Sequence, residues 1–214
     1  MKAKTLTVLQ AILIAVVILS GAIAAPVLCR PFYYLHIGPL DLPEVVGLTA
    51  EQIKTAYNEM MDFCIGISDD FSVGALAWSE EGKAHFADVR KLFVLDLWAL
   101  IASAVLLTAV TILRRKNKVL LKGHAPGFWG SVGLGVCFAL VGGLAALDFN
   151  KAFEIFHKLF FPGKDNWLFD PRQDPIILAL PEAFFRNCAI LILALILIPC
   201  GILVGYDLVK RRKK

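Results

Sequence analysis

The chain has 214 residues, of which 58% are hydrophobic and 19% charged, with a mean hydropathy of +0.69. That is too apolar for an ordinary soluble domain, and once several membrane spans are counted the length leaves one polytopic membrane domain, residues 1–214. The net charge of +4 comes from short basic runs beside apolar segments with no interleaved aromatic platform, which argues against a nucleic-acid surface.

Four windows hold the roughly 20 apolar residues that a helix needs to cross ~30 Å of hydrocarbon: about Leu6–Leu28, Leu92–Leu113, Phe128–Leu147 and Ala183–Gly205. The expected fold class is therefore an all-α integral membrane protein with four transmembrane helices, its two outer loops (29–91 and 148–182) forming a small cap. Ala22-Ile23-Ala24 resembles a peptidase site, but the first apolar run is longer than a signal peptide's, so it reads as a retained span. Cys29 follows that run as a lipoprotein cysteine would; Leu28 before it is not the small residue a lipobox needs.

Basic residues near the span ends set orientation. Lys2 and Lys4, then Arg114, Arg115, Lys116, Lys118 and Lys122, then Lys210 to Lys214 form three runs that no acid interrupts. Between Cys29 and Lys91 there are ten acids against five bases, and between Asp148 and Glu182 six against four. Both termini are thus expected in the cytoplasm and both large loops outside.

Taken in chain order, Pro26, Pro31, Pro39 and Pro43 predict an extended stretch with Phe32, Tyr33 and Tyr34 at headgroup level. Thr49 and Gln52 form a capping box, and Ile53, Ala56, Tyr57, Met60, Met61 and Cys64 recur at helical spacing behind it. Ser79 is a good N-cap for a helix running unbroken into the second span, which puts His85, Asp88 and Leu92 on one face. Asp148 to Phe161 has no breaker before Pro162-Gly163 and is predicted to continue the third span, with Phe149, Phe153, Phe156 and Phe160 as an apolar stripe. Trp167 to Pro181 reads as an ordered loop leading into the fourth span. Gly133, Gly135, Gly142 and Gly143 read as helix-packing positions.

The five cysteines include no C-x-x-C pair, so zinc and thioredoxin-like readings lack support. Cys137, Cys188 and Cys200 suit a reduced packing role in apolar segments, while Cys29 and Cys64 share the oxidising side and their pairing stays open. Signatures of serine hydrolases, nucleotide-binding loops and zincins are missing, and no metal or cofactor is expected.

His85 precedes Leu92 by seven residues and His157 follows Leu147 by ten, offsets of about 10 and 15 Å along a helix. Both imidazoles fall in or just above the outer interface and can meet there as base and acid for acyl transfer, since their pKa lies near working pH. From spacing alone two unrelated interfacial histidines are the simpler reading, and a metal site is a third, without H-x-x-x-H or H-E-x-x-H spacing to support it. Asp88 and Glu154, each three residues from a histidine, can orient its ring or be plain surface acids. His36 and His124 read as solvated or headgroup-facing, and Asp96, one turn inside the second span, as functional or paired.

Three stretches resemble a known family: Tyr57-Asn58 with Asp62-Phe63; Ser79-Glu80-Glu81-Gly82 with His85-Phe86, Asp88-Val89 and Leu92-Phe93; and Phe156-His157 through Phe160-Phe161, Trp167, Asp170-Pro171, Asp174, Leu180-Pro181-Glu182 and Phe184-Phe185. The family is that of the bacterial lipoprotein intramolecular transacylases, Lit. The resemblance implies an acyltransferase of the bacterial plasma membrane with its site on the extracytoplasmic face. Its reaction would move the sn-2 acyl chain of a diacylglyceryl-modified N-terminal cysteine onto that cysteine's α-amine, giving a lyso-form lipoprotein. It implies His85 and His157 as the catalytic pair. Tyr57, Asn58, Asp88, Trp167, Asp174, Glu182, Phe184 and Phe185 are the expected substrate-binding set, with lipoproteins and membrane lipids as partners and a monomer as the working state. The chemistry is compatible: an imidazole near 6.5 can take the proton of an α-amine near 7.7 to 8.0, and Asn58 or a backbone N–H can hold the oxyanion. The alternatives are a non-enzymatic sensor or assembly protein, and another outer-leaflet lipid acyltransferase or hydrolase.

Overall fold

A computed structural model describes residues 3–115 and 119–213; Lys2, Lys116, Lys118 and Lys214, which enter the orientation argument, lie outside the described residues. The described residues form helices α1 (Ala3–Leu28), α2 (Arg30–Ile37), α3 (Leu42–Val46), α4 (Ala50–Cys64), α5 (Glu80–Leu113), α6 (Pro126–Leu147), α7 (Phe149–Phe160), α8 (Ile176–Ala179) and α9 (Glu182–Arg212), with no strand among them. Four of these, α1, α5, α6 and α9, are long and apolar enough to cross a membrane, one for each predicted window. In α5 the charged first turns, Glu80 to Lys91, precede the apolar spanning segment that begins at Leu92. The chain divides into two compact units: Met1–Ala24 with Asp96–Ala146 and Ile190–Lys214, and Ala25–Leu95 with Leu147–Ala189.

The first unit holds the apolar helices. Ala22, Ile196 and Cys200 are buried together, with Ile18, Leu19, Leu134, Phe138 and Ile192 packed against them. A Cβ added at Gly130 would lie 2.4 Å from the Ala11 carbonyl oxygen and one at Gly142 would lie 2.6 Å from Leu193, so small residues let these helices approach. Gly135 also faces a neighbour, Cys200 at 3.4 Å, as expected, but Gly133 and Gly143 face open space, and Gly130 was not anticipated. Ser20 lies beside Asp96. His124 is not solvated as predicted: it pairs with Asp207 at 2.7 Å and stacks on Phe128 with ring centroids 3.8 Å apart. Asp207 also accepts from the Ala125 N–H at 2.9 Å, so one buried acid ties the α5–α6 connection to α9.

The second unit is built around α4. Its capping box forms as predicted, the Gln52 N–H donating to Thr49 Oγ1 at 3.3 Å and the Thr49 N–H to Gln52 Oε1 at 2.9 Å. Ile53, Ala56, Tyr57, Met60, Met61 and Cys64 are all buried, each large one contributing roughly 1.5–3 kcal/mol. The proline-rich stretch departs from the prediction: it forms α2 and α3 rather than an extended segment. Pro31 and Pro43 occupy first-turn positions, where the missing N–H would have had no partner in any case. Tyr33 does not lie open at the surface. It is buried, donates to the Ala179 carbonyl at 2.8 Å and stacks on Tyr57 at 3.7 Å.

The predicted continuation of the third span also fails, at Asp148. Its backbone is extended (φ −156°, ψ 95°) and its carboxylate accepts from the Lys151 N–H at 2.9 Å, so it ends α6 and caps α7 as a separate helix. Cys29 and Cys64 are both free thiols; burial pushes the Cys64 thiol up to about 12.

Candidate active site

Ser79 caps α5 by accepting from the Gly82 N–H at 2.9 Å. Asp174, from the second loop, takes both remaining donors: Oδ1 accepts from the Ser79 N–H at 2.8 Å and Oδ2 from the Ser79 hydroxyl at 2.7 Å. A carboxylate at a helix N-terminus is favoured by the unpaired N–H groups there. Its approach requires glycine at position 82, where a Cβ would lie 2.2 Å from Asp174 Oδ1. The loop between α7 and α8 is thereby fastened to the first turn of α5, six residues before His85.

His85 and His157 face each other with ring centroids 5.9 Å apart, within the reach that their offsets suggested, and are 5% and 7% exposed. Aromatic rings enclose them. Phe161 lies 5.0 Å from His85 and 5.7 Å from His157, Phe169 lies 5.4 Å from His85, and Trp167 stacks on His157 at 4.7 Å. Phe153 closes the far side of His157 at 4.2 Å. The Phe153 carbonyl also contacts His157 Nδ1 at 2.8 Å. A carbonyl only accepts, so Nδ1 carries the proton, and neutral His157 offers the lone pair of Nε2. Among the described residues, His85 Nδ1 is buried without a hydrogen-bond partner, as is Asn166 Oδ1 beside the pair.

Burial, followed by the proximity of His157, pushes His85 down to about 4, against smaller opposing effects of Asp88 and Asn166. Burial likewise lowers His157, its bond to Phe153 acting in the opposite direction. Both shifts favour the uncharged ring, and His157 has a defined tautomer.

Asp88 does not orient His85. Burial pushes its carboxyl up, but its pairing with Lys91 at 3.0 Å and with Lys164 together outweighs this and holds it below the usual carboxylate range. It borders a cavity of about 250 Å³ whose other walls include Phe160, Phe161, Pro162 and Lys164. Glu154 pairs with Lys158 rather than with His157.

The other expected residues divide by location. Trp167 is in the histidine box, and Phe185 reaches it through Phe153 at 5.3 Å. Tyr57 and Phe184 belong to an aromatic cluster around Tyr33 that adjoins the box where Phe184 meets Phe185 at 5.8 Å. Asn58 is engaged there too, its side-chain oxygen accepting from Tyr34 at 2.7 Å and its carbonyl from Arg30 at 2.9 Å. His36 is half-buried with this group, 5.4 Å from Phe184. Glu182 is exposed in the first turn of α9. Phe161, Asn166 and Phe169 were assigned no role from sequence. Phe161 was legible as the residue one turn after His157, while Asn166 and Phe169 lie in an irregular loop without periodicity.

The sequence matches the family described as lipoprotein intramolecular transacylase Lit over residues 8–185. The solved structure of the membrane-integral lipoprotein intramolecular transacylase Lit from Bacillus cereus is 32% identical, covering 99% of this chain and 98% of that one with a TM-score of 0.86. Structures of the Bacillus cereus protein with an H85R and with an H85A mutation are each 30% identical with TM-scores of 0.80, over 99% of this chain and 94% and 96% of theirs. Among curated proteins no match is found. With the family matched along most of its length and the fold matched throughout, the chain belongs to the lipoprotein intramolecular transacylase (Lit) family of membrane acyltransferases.

Proposed function

We propose that the chain moves the sn-2 acyl group of a diacylglyceryl-modified N-terminal cysteine to the α-amine of the same cysteine, with His157 as base and His85 as acid. Two buried, uncharged imidazoles 5.9 Å apart in an aromatic box support this assignment. His157 Nε2 takes a proton from the amine as its nitrogen attacks the sn-2 ester carbonyl. The C–N bond forms and leaves His157 as an imidazolium; His85 takes that proton on one ring nitrogen as the N–H of its other ring nitrogen passes a proton to the departing glycerol oxygen. The acyl C–O bond breaks, both rings end neutral, and the products are an amide and an S-monoacylglyceryl group. Nucleophile and electrophile share one molecule, so the site chiefly holds a near-attack geometry and stabilises an oxyanion. Asn58 lies with Tyr34 and Arg30 in the cluster around Tyr33; the side-chain N–H of Asn166, which neighbours His85, donates to the oxyanion in its place.

Acyl chains enter beside Trp167 and Phe185. Tyr57, Asn58, Phe184 and Glu182 shape the wider substrate surface. Asp88, between two lysines over its cavity, meets the polar part of the lipid. The segregation of basic runs from acidic loops supports cytoplasmic termini and a site on the extracytoplasmic face of a bacterial plasma membrane. The chain works as a monomer.

Expression with a reporter lipoprotein tests the reaction. Mass spectrometry of the reporter's N-terminal peptide should show unchanged total mass, with fragmentation placing one acyl chain on nitrogen. His85→Ala and His157→Ala should each slow the shift by about 10² to 10⁴. A reporter that loses an acyl mass, or stays diacylglyceryl-modified beside a well-expressed wild-type chain, overturns the assignment.

A further inference from the structure

The helix that carries His157 has a second face that takes no part in the proposed proton transfers, and of its residues only Phe160 also walls the Asp88 cavity. Ile155, Phe156, Leu159 and Phe160 of α7 are 56%, 47%, 70% and 47% exposed. On a helical projection, Phe149, Ala152, Phe153 and these four fill an arc of roughly 160°, while Asn150, Lys151, Glu154 and Lys158 share the opposite side. His157 sits at one edge of the apolar arc and is buried; Ile155 and Leu159 lie on the other edge and are bare. Four neighbouring large apolar side chains left open on a 12-residue helix are not an ordinary water-facing surface.

We propose that α7 is an interfacial helix whose Ile155, Phe156, Leu159 and Phe160 face is immersed in the bilayer at the boundary of headgroups and acyl chains, in the leaflet reached by the C-terminal end of α6. Two observations choose lipid as the occupant. The first is continuity. The exposed apolar residues Val136, Leu140, Leu144 and Leu147 run down the spanning helix α6, and only Asp148 separates that helix from the start of α7. The second is charge placement. Lys158 is 67% exposed and Lys151 is exposed on the polar side, where long cationic side chains can reach phosphate groups while the opposite face stays among acyl chains.

The Asp148 cap is what permits this arrangement. An unbroken helix would carry the spanning direction past residue 147, whereas a freshly capped helix can take its own direction along the surface. A helix so seated would also hold His157 at the depth of the glycerol esters of a membrane-anchored lipid, within a helix diameter of about 10 Å from the acyl chains. That consequence bears on the proposed reaction, but the seating of α7 does not depend on it.

The test uses the full chain in lipid nanodiscs, with Leu159→Trp and, separately, Ile155→Trp. Subtracting the parent spectrum, which contains Trp78, Trp98, Trp129 and Trp167, isolates the added emission. Lipids brominated near the glycerol end of the acyl chain should quench most of that emission, lipids brominated near the chain terminus much less, and aqueous acrylamide little. Strong acrylamide quenching without lipid quenching would place the face in water and overturn the proposal. Shielding from both quenchers, with a doubled mass in solution, would make a second copy the occupant and overturn it equally. Two positions keep the test decisive should one variant fail to fold, and neither readout requires acyl-transfer activity.

Discussion

Gly82→Ala sets two effects of opposite sign against each other inside the first turn of α5. Helix propensity alone favours alanine by up to about 1 kcal/mol. The new methyl, however, would lie 2.2 Å from Asp174 Oδ1, so the carboxylate must swing away from Ser79, whose N–H and hydroxyl it holds at 2.8 and 2.7 Å. A hydrogen bond to a charged group is worth about 1.5–3 kcal/mol, so losing both costs about 3 kcal/mol or more and the net effect is a destabilisation of about 2 kcal/mol. For a chain of this length that lowers the melting temperature by roughly 4–8 °C, readable by thermal unfolding in detergent. The same substitution in an Asp174→Ala background has no carboxylate to displace and should be neutral or stabilising, giving a large coupling in the double-mutant cycle. Stabilisation by Gly82→Ala in the wild-type background, or additive effects of the two substitutions, would refute the fastening of the second loop to α5.

Two further outcomes follow from particular contacts. Gly130→Ala places a Cβ 2.4 Å from the backbone oxygen of Ala11, which cannot rotate away, and should cost about 1–3 kcal/mol in thermal unfolding; Gly133→Ala, facing open space, should be neutral or slightly stabilising. Stability should also fall on acidification: His85 titrates near 6.5 unfolded but at about 4 folded, so between these values only the unfolded chain takes up the proton. The His85 share of the loss approaches about 1.4 kcal/mol per pH unit within that window and is absent above it; His85→Gln should remove that share in melts compared at pH 7 and pH 5, leaving the part that the lowered His157 contributes. An equal acid loss in the variant would refute the depressed histidine.

What the sequence disclosed and what it hid divide along physical lines. The spans were legible because only a helix satisfies its backbone in hydrocarbon, and α4 was legible because its capping box and 3.6-residue period agree. The prolines misled because their constraint is positional. Pro31 and Pro43 start helices that they could not have continued. Asp148 misled in the opposite sense, because an acid between two apolar runs looks like a tolerated interruption until its side chain caps the next helix. The facing of His85 and His157 could be anticipated from counts along two helices, since rise per residue is nearly constant. The partners of Asp88 could not be: an acid three residues from a histidine is equally near a lysine on its own helix and one on a distant loop, and the lysines won. Asn166 and Phe169, in a loop without periodicity, became visible only once that loop was folded against α5.

The most direct test of the central claim is a crossover experiment. Two diacylglyceryl lipopeptides of different sequence, one with an isotopically heavy sn-2 chain, are mixed with the protein in bilayers, and the N-terminal products are fragmented in the mass spectrometer. Intramolecular transfer at the histidine pair predicts heavy acyl amide only on the peptide that began with the heavy chain, and no transfer to either peptide when His157→Ala replaces the wild type. Heavy acyl groups on both peptides would show transfer between molecules or through a diffusible acyl intermediate, and would contradict the account.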